Sequence, residues 1–399
     1  MHTVGIVCEY NPFHTGHLYQ LNETKRLLGG DTSAVCVMSG DFVQRGEAAL
    51  FDKFARAEAA CRCGVDLVVE LPLPWCLSSA EGFAFGAVSI LAALGCDTIS
   101  FGSESGDTSA LKTLAAFAAD EAAQARIHVM MDEDAALPFA RARQLAAAGT
   151  LGGEAAAILS APNDILAIEY LKAIGKLGAD MEPLPIRRFG AAHDSTEGGE
   201  YVSAMRLRAM HRNGETIDGY VPRPAMEIFQ RELAAGRSRN EKLLEIALLS
   251  RLYALELEAF DQLPDAGGGA GRRLWKTLQE GGSLEQIAEA AGTKRYTTAR
   301  MRRMLLCAAL GICAEDTKGA PTYIRVLASN GKGRALLAQI REKTVLPVIN
   351  KTADIKKAGF QAEKVFRLTA NAHDLYRLAC SQKGHVKPGE DWRRTAAIV

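Results

Sequence analysis

Short apolar runs alternate with helical stretches from the start of the chain. Val4-Gly5-Ile6-Val7-Cys8 is a strand-type run, followed by a turn and by helical spacing over residues 14–28. Ser33–Ser39 repeats the strand pattern, 53–63 is helical, 65–71 is a third strand, 80–94 a helix and 98–102 a fourth strand. Strands separated by helices of this length predict βαβ crossovers and a parallel, doubly wound sheet. Ligands of such sheets lie beyond the carboxyl ends of the strands. Residues 110–176 are Ala-rich and helical with a break at 149–153, and 183–186 returns to the sheet. Beyond the Pro-containing stretch 218–224 the pattern predicts helices only, with 265–271 a flexible glycine loop. The predicted fold class is therefore α/β, a Rossmann-like domain over 1–220, followed by an all-α domain over 221–399.

Composition adds little until it is divided. The 399 residues carry 47 Lys and Arg against 47 Asp and Glu, with 48% hydrophobic and 24% charged positions. Such values exclude long disorder, collagen-like repeats and a small disulfide scaffold. Residues 1–180 hold 12 Lys and Arg against 22 Asp and Glu, a net of −10, and the remaining 35 against 25 give +10. Either the second half meets a polyanion, or two solvated surfaces of opposite sign dock on each other. No secretory signal opens the chain, and its apolar runs break well short of a spanning helix, so a cytoplasmic protein without a membrane partner is expected. Nine cysteines cannot all pair, and Cys61 and Cys63 alone are poor support for zinc; buried thiols in a reducing compartment are the expectation.

The chemistry is concentrated in Gly5-Ile6-Val7-Cys8-Glu9-Tyr10-Asn11-Pro12-Phe13-His14-Thr15-Gly16-His17. His14 and His17 stand three apart, on one face of a first helical turn. Gly16 clears the space between them for close approach of a ligand to the backbone, and a helix N-terminus adds free N–H groups and a positive dipole end. Two imidazoles, free N–H groups and a glycine gap suit a phosphorus centre that gains charge during displacement. Two incidental histidines, or a zinc pair lacking both i, i+4 spacing and a third ligand, are the alternatives. A strand, a turn and then His-x-Gly-His resembles the nucleotidyltransferase superfamily, whose histidines bind ATP phosphates while the α-phosphate is attacked.

A narrower resemblance runs along nearly the whole chain. Residues 10–17, Met38-Ser39-Gly40-Asp41-Phe42-Val43-Gln44-Arg45-Gly46-Glu47 with Lys53 and Arg56, Glu70-Leu71-Pro72, Phe101-Gly102-Ser103-Glu104, Pro162-Asn163-Asp164, Arg187-Arg188, His193-Asp194, Lys294-Arg295-Tyr296-Thr297 with Arg300 and Arg303, and Tyr323-Ile324-Arg325-Val326-Leu327 are similar to the bacterial tRNA(Met) cytidine acetate ligases. The resemblance implies a two-step reaction: ATP and acetate give acetyl-adenylate, and the acetyl group passes to the wobble cytidine of elongator tRNA(Met), giving N4-acetylcytidine. ATP is then a co-substrate, accompanied by Mg²⁺, with no metal-ligating side chain to name.

By the same resemblance His14 and His17 are catalytic. The ATP site covers Val7, Cys8, Glu9, Tyr10, Asn11, Pro12, Phe13, His14, Thr15, Gly16, His17, Leu18, Tyr19 and Gln20, then Gly102, Asn163 and Arg188. On the residues themselves, Gly102 ends a predicted strand where backbone can approach adenine or ribose, with an ordinary turn glycine as the alternative; Asn163 is equally an amide for adenine or ribose and a helix N-cap; and Arg188 offers a fork for phosphate, with a surface arginine as the alternative. The superfamily's second signature implies phosphate contacts from Ser203 and Arg208 in Tyr201-Val202-Ser203-Ala204-Met205-Arg206-Leu207-Arg208, although Met205 stands where Thr is usual. Arg187 replaces the family's Lys.

The second half has its own pattern. A helix is predicted from Lys294 through Leu306, with Thr297, Met301, Met304, Leu305 and Ala308 as one apolar stripe. Lys294, Arg295, Arg300, Arg302 and Arg303 fall on the remaining surface and are the candidate tRNA-binding residues; a solvated charged face is the alternative. The preceding 283–292 gives the pair a helix-turn-helix look. Two rival functions share these features: a small-metabolite adenylyltransferase, and a non-catalytic RNA-binding protein that senses ATP.

Overall fold

A computed structural model of the chain describes residues 2–134, 137–188, 202–381 and 386–399. Ten strands occur among them: β1 (Thr3–Cys8), β2 (Ser33–Ser39), β3 (Phe42–Val43), β4 (Glu47–Ala48), β5 (Leu67–Leu71), β6 (Thr98–Ser103), β7 (Glu182–Arg187), β8 (Ile324–Ser329), β9 (Val348–Ile349) and β10 (Ala397–Ile398). Across the main sheet the order is β10-β8-β5-β2-β1-β6-β7, with β9 beside β8, and β3–β4 is a separate hairpin. β5, β2, β1, β6 and β7 run parallel. The chain steps outward from β1 to β2 to β5, then crosses back to β6 on the other side of β1. That reversal opens a crevice between the carboxyl ends of β1 and β6. Through residue 187 the expected strands, and the helices at 14–28, 53–63 and 80–94, match the observed ones within two residues.

Helices cover both faces, which is why the central strands are unbroken apolar runs rather than alternating ones. On β2, Val35 and Val37 pack into one core with the helices Ala80–Ala93 and Pro162–Leu177. Ala34, Cys36 and Met38 point the other way, into a core with α1 (Thr15–Leu28) and α2 (Lys53–Arg62). A third core of Leu248, Leu252, Leu274, Met301 and Leu305 joins the later helices to Phe42 and Ala48 of the hairpin.

The expectation of an all-α second half is corrected here. β8 lies antiparallel to β5 inside the main sheet, and β9 and β10 flank it. Arg325 hides the strand in the sequence, because a charged residue inside an apolar run imitates a solvated helix face. It is fully buried, with Nη2 3.6 Å from Asp391 Oδ1 and donating to Arg394 O at 2.6 Å. All nine cysteines are free thiols. Among the described residues no helix is long and apolar enough to cross a membrane.

Candidate active site

β1 delivers the key segment to the crevice. After Cys8 the chain turns sharply: Tyr10 adopts φ +46, a conformation disfavoured for any side chain with a Cβ. Packing holds it there, with its buried ring edge-on to Phe13 and His17 at 4.7 and 4.8 Å and its hydroxyl 3.4 Å from Cys36 Sγ. Arg56, fully buried on α2, donates to the carbonyls of Glu9, Ser39 and Gly40, joining the ends of β1 and β2.

His14 is the N-cap of α1 rather than part of its first turn. Its Nδ1 accepts the Gly16 N–H at 3.0 Å, and its own N–H donates to His17 Nδ1 at 3.3 Å. The rings still come together, with centroids 3.8 Å apart and planes tilted by 33°. Since both Nδ1 atoms accept, each neutral ring carries its proton on Nε2. Burial, then the Arg188 and Arg208 charges, lower His14 to about 3. Burial, His14 and Arg188 push His17 well down too. Near neutral pH the pair is therefore two N–H donors, suited to stabilising charge that develops on phosphate oxygens. The reason for Gly16 also changes: a Cβ there would stand 2.9 Å from His14 Cε1, so the glycine makes room for that ring.

A cleft of about 290 Å³ opens at this point. Of the expected ATP-site residues, Val7, Cys8, Glu9, Tyr10, Asn11, His14, His17, Gln20, Gly102, Asn163, Arg188, Ser203 and Arg208 line it. Gly16 and Tyr19 face a smaller adjoining recess beside Arg187 and Arg188. Pro12, Phe13, Thr15 and Leu18 line neither; Pro12 and Phe13 are buried beneath the loop. His193, Asp194 and Tyr201 lie outside the described residues.

Two groups of residues line the cleft around the histidines. In the first, Asn163 Nδ2 donates to Glu104 Oε1 at 2.5 Å, and Arg188 N–H to Ser103 O at 3.0 Å. Asn163 is not an N-cap, since Ala161 holds that position and Pro162 opens the helix. Gly102 lies within β6, and a Cβ there would meet Arg188 at an ordinary 3.5 Å. In the second group, Arg208 donates to Asn11 O at 2.8 Å and pairs with Glu47 at 2.5 Å, while Glu9 Oε1 accepts the Gln44 N–H at 3.0 Å. Ser203 caps the helix Ala204–Arg212 by accepting the Arg206 N–H at 3.3 Å, and Met205 reaches the cleft beside it.

Several lining residues had no role assigned from the sequence: Gln44 and Arg45 in the hairpin turn, Phe83, Phe101 and Tyr170. Gln44 and Arg45 sat inside a matched motif, but nothing local says that a turn after a two-residue strand will fold back over β1.

The candidate tRNA residues divide. The helix begins at Thr298, capped by Thr297, so Lys294 and Arg295 stand in the preceding turn, exposed. Arg300 donates to the carbonyls of Asp265 and Gly267 and lies over the Tyr296 ring at 4.9 Å. Arg302 pairs with Glu285, and Arg303, 11% exposed, lies 3.9 Å from Asp265. Met301, Met304, Leu305 and Ala308 are buried, as their stripe required, whereas Thr297, the first position of that stripe, is exposed as the N-cap. Gly46 at the hairpin tip, with φ +79, packs on the backbone between Arg302 and Arg303; a Cβ would stand 2.8 Å from Arg303 N. The basic helix thus rests on the hairpin that walls the cleft.

Comparison with known proteins agrees with this geometry. The HIGH Nucleotidyl Transferase family profile matches residues 1–390. The tRNA(Met) cytidine acetate ligase of Thermoanaerobacter sp. (strain X514) is 37% identical over 388 residues, 95% of this chain and 96% of that protein. The crystal structure of apo Thermotoga maritima TmcAL superposes with a TM-score of 0.92 at 31% identity, covering all of both chains. The form of the same protein bound with alpha-thio ATP gives 0.90.

Proposed function

The chain belongs to the tRNA(Met) cytidine acetate ligase family of HIGH nucleotidyl transferases, and from that premise we propose that it activates acetate with ATP and acetylates the wobble cytidine of elongator tRNA(Met). The observation that carries the reading is the closely packed, neutral His14–His17 pair at the crevice between β1 and β6, within a full-length match to these enzymes. Acetate is unreactive as an acyl donor. Attack of its oxygen on the ATP α-phosphorus, with pyrophosphate leaving, makes a mixed anhydride that the weakly nucleophilic cytosine amine can open when held close. The Nε2–H donors of His14 and His17 stabilise the phosphate charge, Gly102, Asn163 and Arg188 hold the nucleoside and phosphate, and Ser203 and Arg208 serve the distal phosphates. Arg208 is already engaged with Glu47 and Asn11, so that contact requires the guanidinium to be shared.

Mg²⁺ is expected to arrive with the ATP phosphates. Among the described residues no group of three or more His, Cys, Asp or Glu could hold a metal ion. Residues 1–220 are assigned to activation and 221–399 chiefly to holding tRNA, though β8 completes the sheet of the first. With nine free thiols and a tRNA substrate, the working compartment is the cytoplasm.

The test is incubation with ATP, labelled acetate and bulk tRNA, followed by digestion to nucleosides. Label in N4-acetylcytidine supports the reading. Pyrophosphate release driven by another acid, with unlabelled tRNA, would instead indicate a small-metabolite adenylyltransferase.

A further inference from the structure

We propose that Glu9 is the general base that takes the proton from the cytidine amine during acetyl transfer, and that the base enters the cleft from the side of the β3–β4 hairpin; this rests on the ligase reading. Among the described residues lining the cleft, Glu9 is the sole carboxylate. The other candidate acceptors are already committed. His14 and His17 receive backbone N–H groups on Nδ1 and carry their protons on Nε2, so they can only donate to a ligand. Glu47 is paired with Arg208, and Glu104 is held by Asn163 and by the Asp164 N–H.

Glu9 is also fixed in orientation. Arg56 grips its backbone carbonyl, and the Gln44 N–H holds Oε1 at 3.0 Å. Burial, then the Glu47 charge, raise its affinity for a proton, while Arg208, Arg45 and the Gln44 hydrogen bond oppose that. A carboxyl raised in this way is better matched to an amine proton than an exposed one.

The direction of entry comes from a separate observation. Gln44 in the hairpin turn donates its N–H to Glu9, and Glu47 of β4 pairs with Arg208, so the hairpin is tied directly to these two cleft residues. The lining residues therefore fall into one group joined to β6 and the residues after it, Gly102, Asn163 and Arg188, and a second joined to the hairpin, Glu9, Gln44 and Arg208. Only the second adjoins the hairpin on which the basic helix Thr298–Leu310 rests, through Gly46. Once pyrophosphate has left the Arg208 side, the acetyl-adenylate remains with the first group, and a nucleotide entering beside the hairpin reaches the acetyl group past Glu9. In the step itself the N4 lone pair forms the bond to the acetyl carbon, the bond from that carbon to the adenylate oxygen breaks, and AMP leaves with the electron pair. One N4 proton passes to the Glu9 carboxylate and from there to solvent.

The experiment compares two rates in the full-length enzyme: acetate-dependent ATP–pyrophosphate exchange for activation, and single-turnover acetylation of tRNA(Met) for transfer. Glu9→Gln should slow transfer about 100-fold more than it slows exchange, within the range of a lost general base. The acidic limb of the transfer pH profile should disappear with it. Glu9→Asp, which keeps a carboxylate, should restore part of the transfer rate, and it carries the test if Glu9→Gln fails to fold. Equal losses in both rates would overturn the proposal and make Glu9 an ATP-positioning residue. An unchanged transfer rate would also overturn it, leaving the departing phosphate as the acceptor. Wild-type enzyme that acetylates no tRNA would sink the ligase reading instead, a distinct result.

Discussion

Lys53 and Asp391 stand 338 positions apart in sequence and meet at 2.5 Å with neither side chain exposed. Glu70, at the end of β5, approaches the same ammonium at 2.8 Å. Burial would lower the Lys53 pKa, but Asp391, Glu70 and Asp41 together hold it above its usual value. Burial pushes Glu70 up to about 7 against the pull of Lys53. The last residues of the chain thus close a charged cluster beneath the loops that form the cleft.

Removing one member strands the others without water. Asp391→Asn should therefore destabilise the protein by about 3 kcal/mol, the usual scale for breaking a buried ion pair from one side. Denaturant unfolding of the two proteins reads this directly. A variant with the wild-type midpoint and slope would mean that the cluster contributes little to folding.

A neighbouring pair gives the stability a pH dependence. His373 Nδ1 lies 2.7 Å from Asp41 Oδ2, both buried. Burial alone would lower the His373 pKa, yet Asp41 first, then Glu390, raise it to about 10, with Lys53 opposing. A raised folded-state value means that this contribution is complete below pH 6.5 and is lost as pH rises through about 10. Wild-type stability should decline over that window, and His373→Gln should flatten the decline at the cost of a lower maximum. Equal slopes in the two proteins would contradict the assignment.

The histidine pair makes the opposite kind of prediction. His14 remains neutral down to about 3, so acetate-dependent pyrophosphate exchange should show no limb near the ordinary histidine value of about 6.5. His17→Ala should lower exchange by about 10²–10³-fold, the range for removing one charge-stabilising donor, with tRNA affinity intact. Full exchange activity in that variant would remove His17 from the phosphate site.

What could be read from the sequence follows from how local each signal is. The parallel sheet up to β7 was legible because apolar strands and helices alternate with fixed periods, and His14 and His17 were legible because strand, turn and helix start are contiguous. β8 was not, since its run contains Arg325, whose partner Asp391 lies 66 residues later. The role of Gly16 is not legible in the sequence because the ring it accommodates belongs to His14, folded back as a cap. Gln44 and Arg45 reach the cleft only through the packing of a two-strand hairpin.

That packing also redistributes the expected RNA contacts. Arg300, Arg302 and Arg303 have partners within the protein, whereas Lys294 and Arg295 stand exposed in the turn ahead of the helix. Reversing Lys294 and Arg295 to Glu should weaken tRNA binding and reduce the magnitude of the salt slope by about 0.7 for each single-strand phosphate left without its cation. Acetyl-adenylate formation should be unaffected, because neither residue lines the cleft. Arg302→Glu should act less through phosphate than through its pair with Glu285, which would become a repulsion in a half-exposed position and cost about 1 kcal/mol of stability or less. Binding curves at several salt concentrations separate the two: if the Arg302 variant loses the salt slope and the Lys294–Arg295 variant keeps it, the tRNA surface lies on the helix itself and not on the turn.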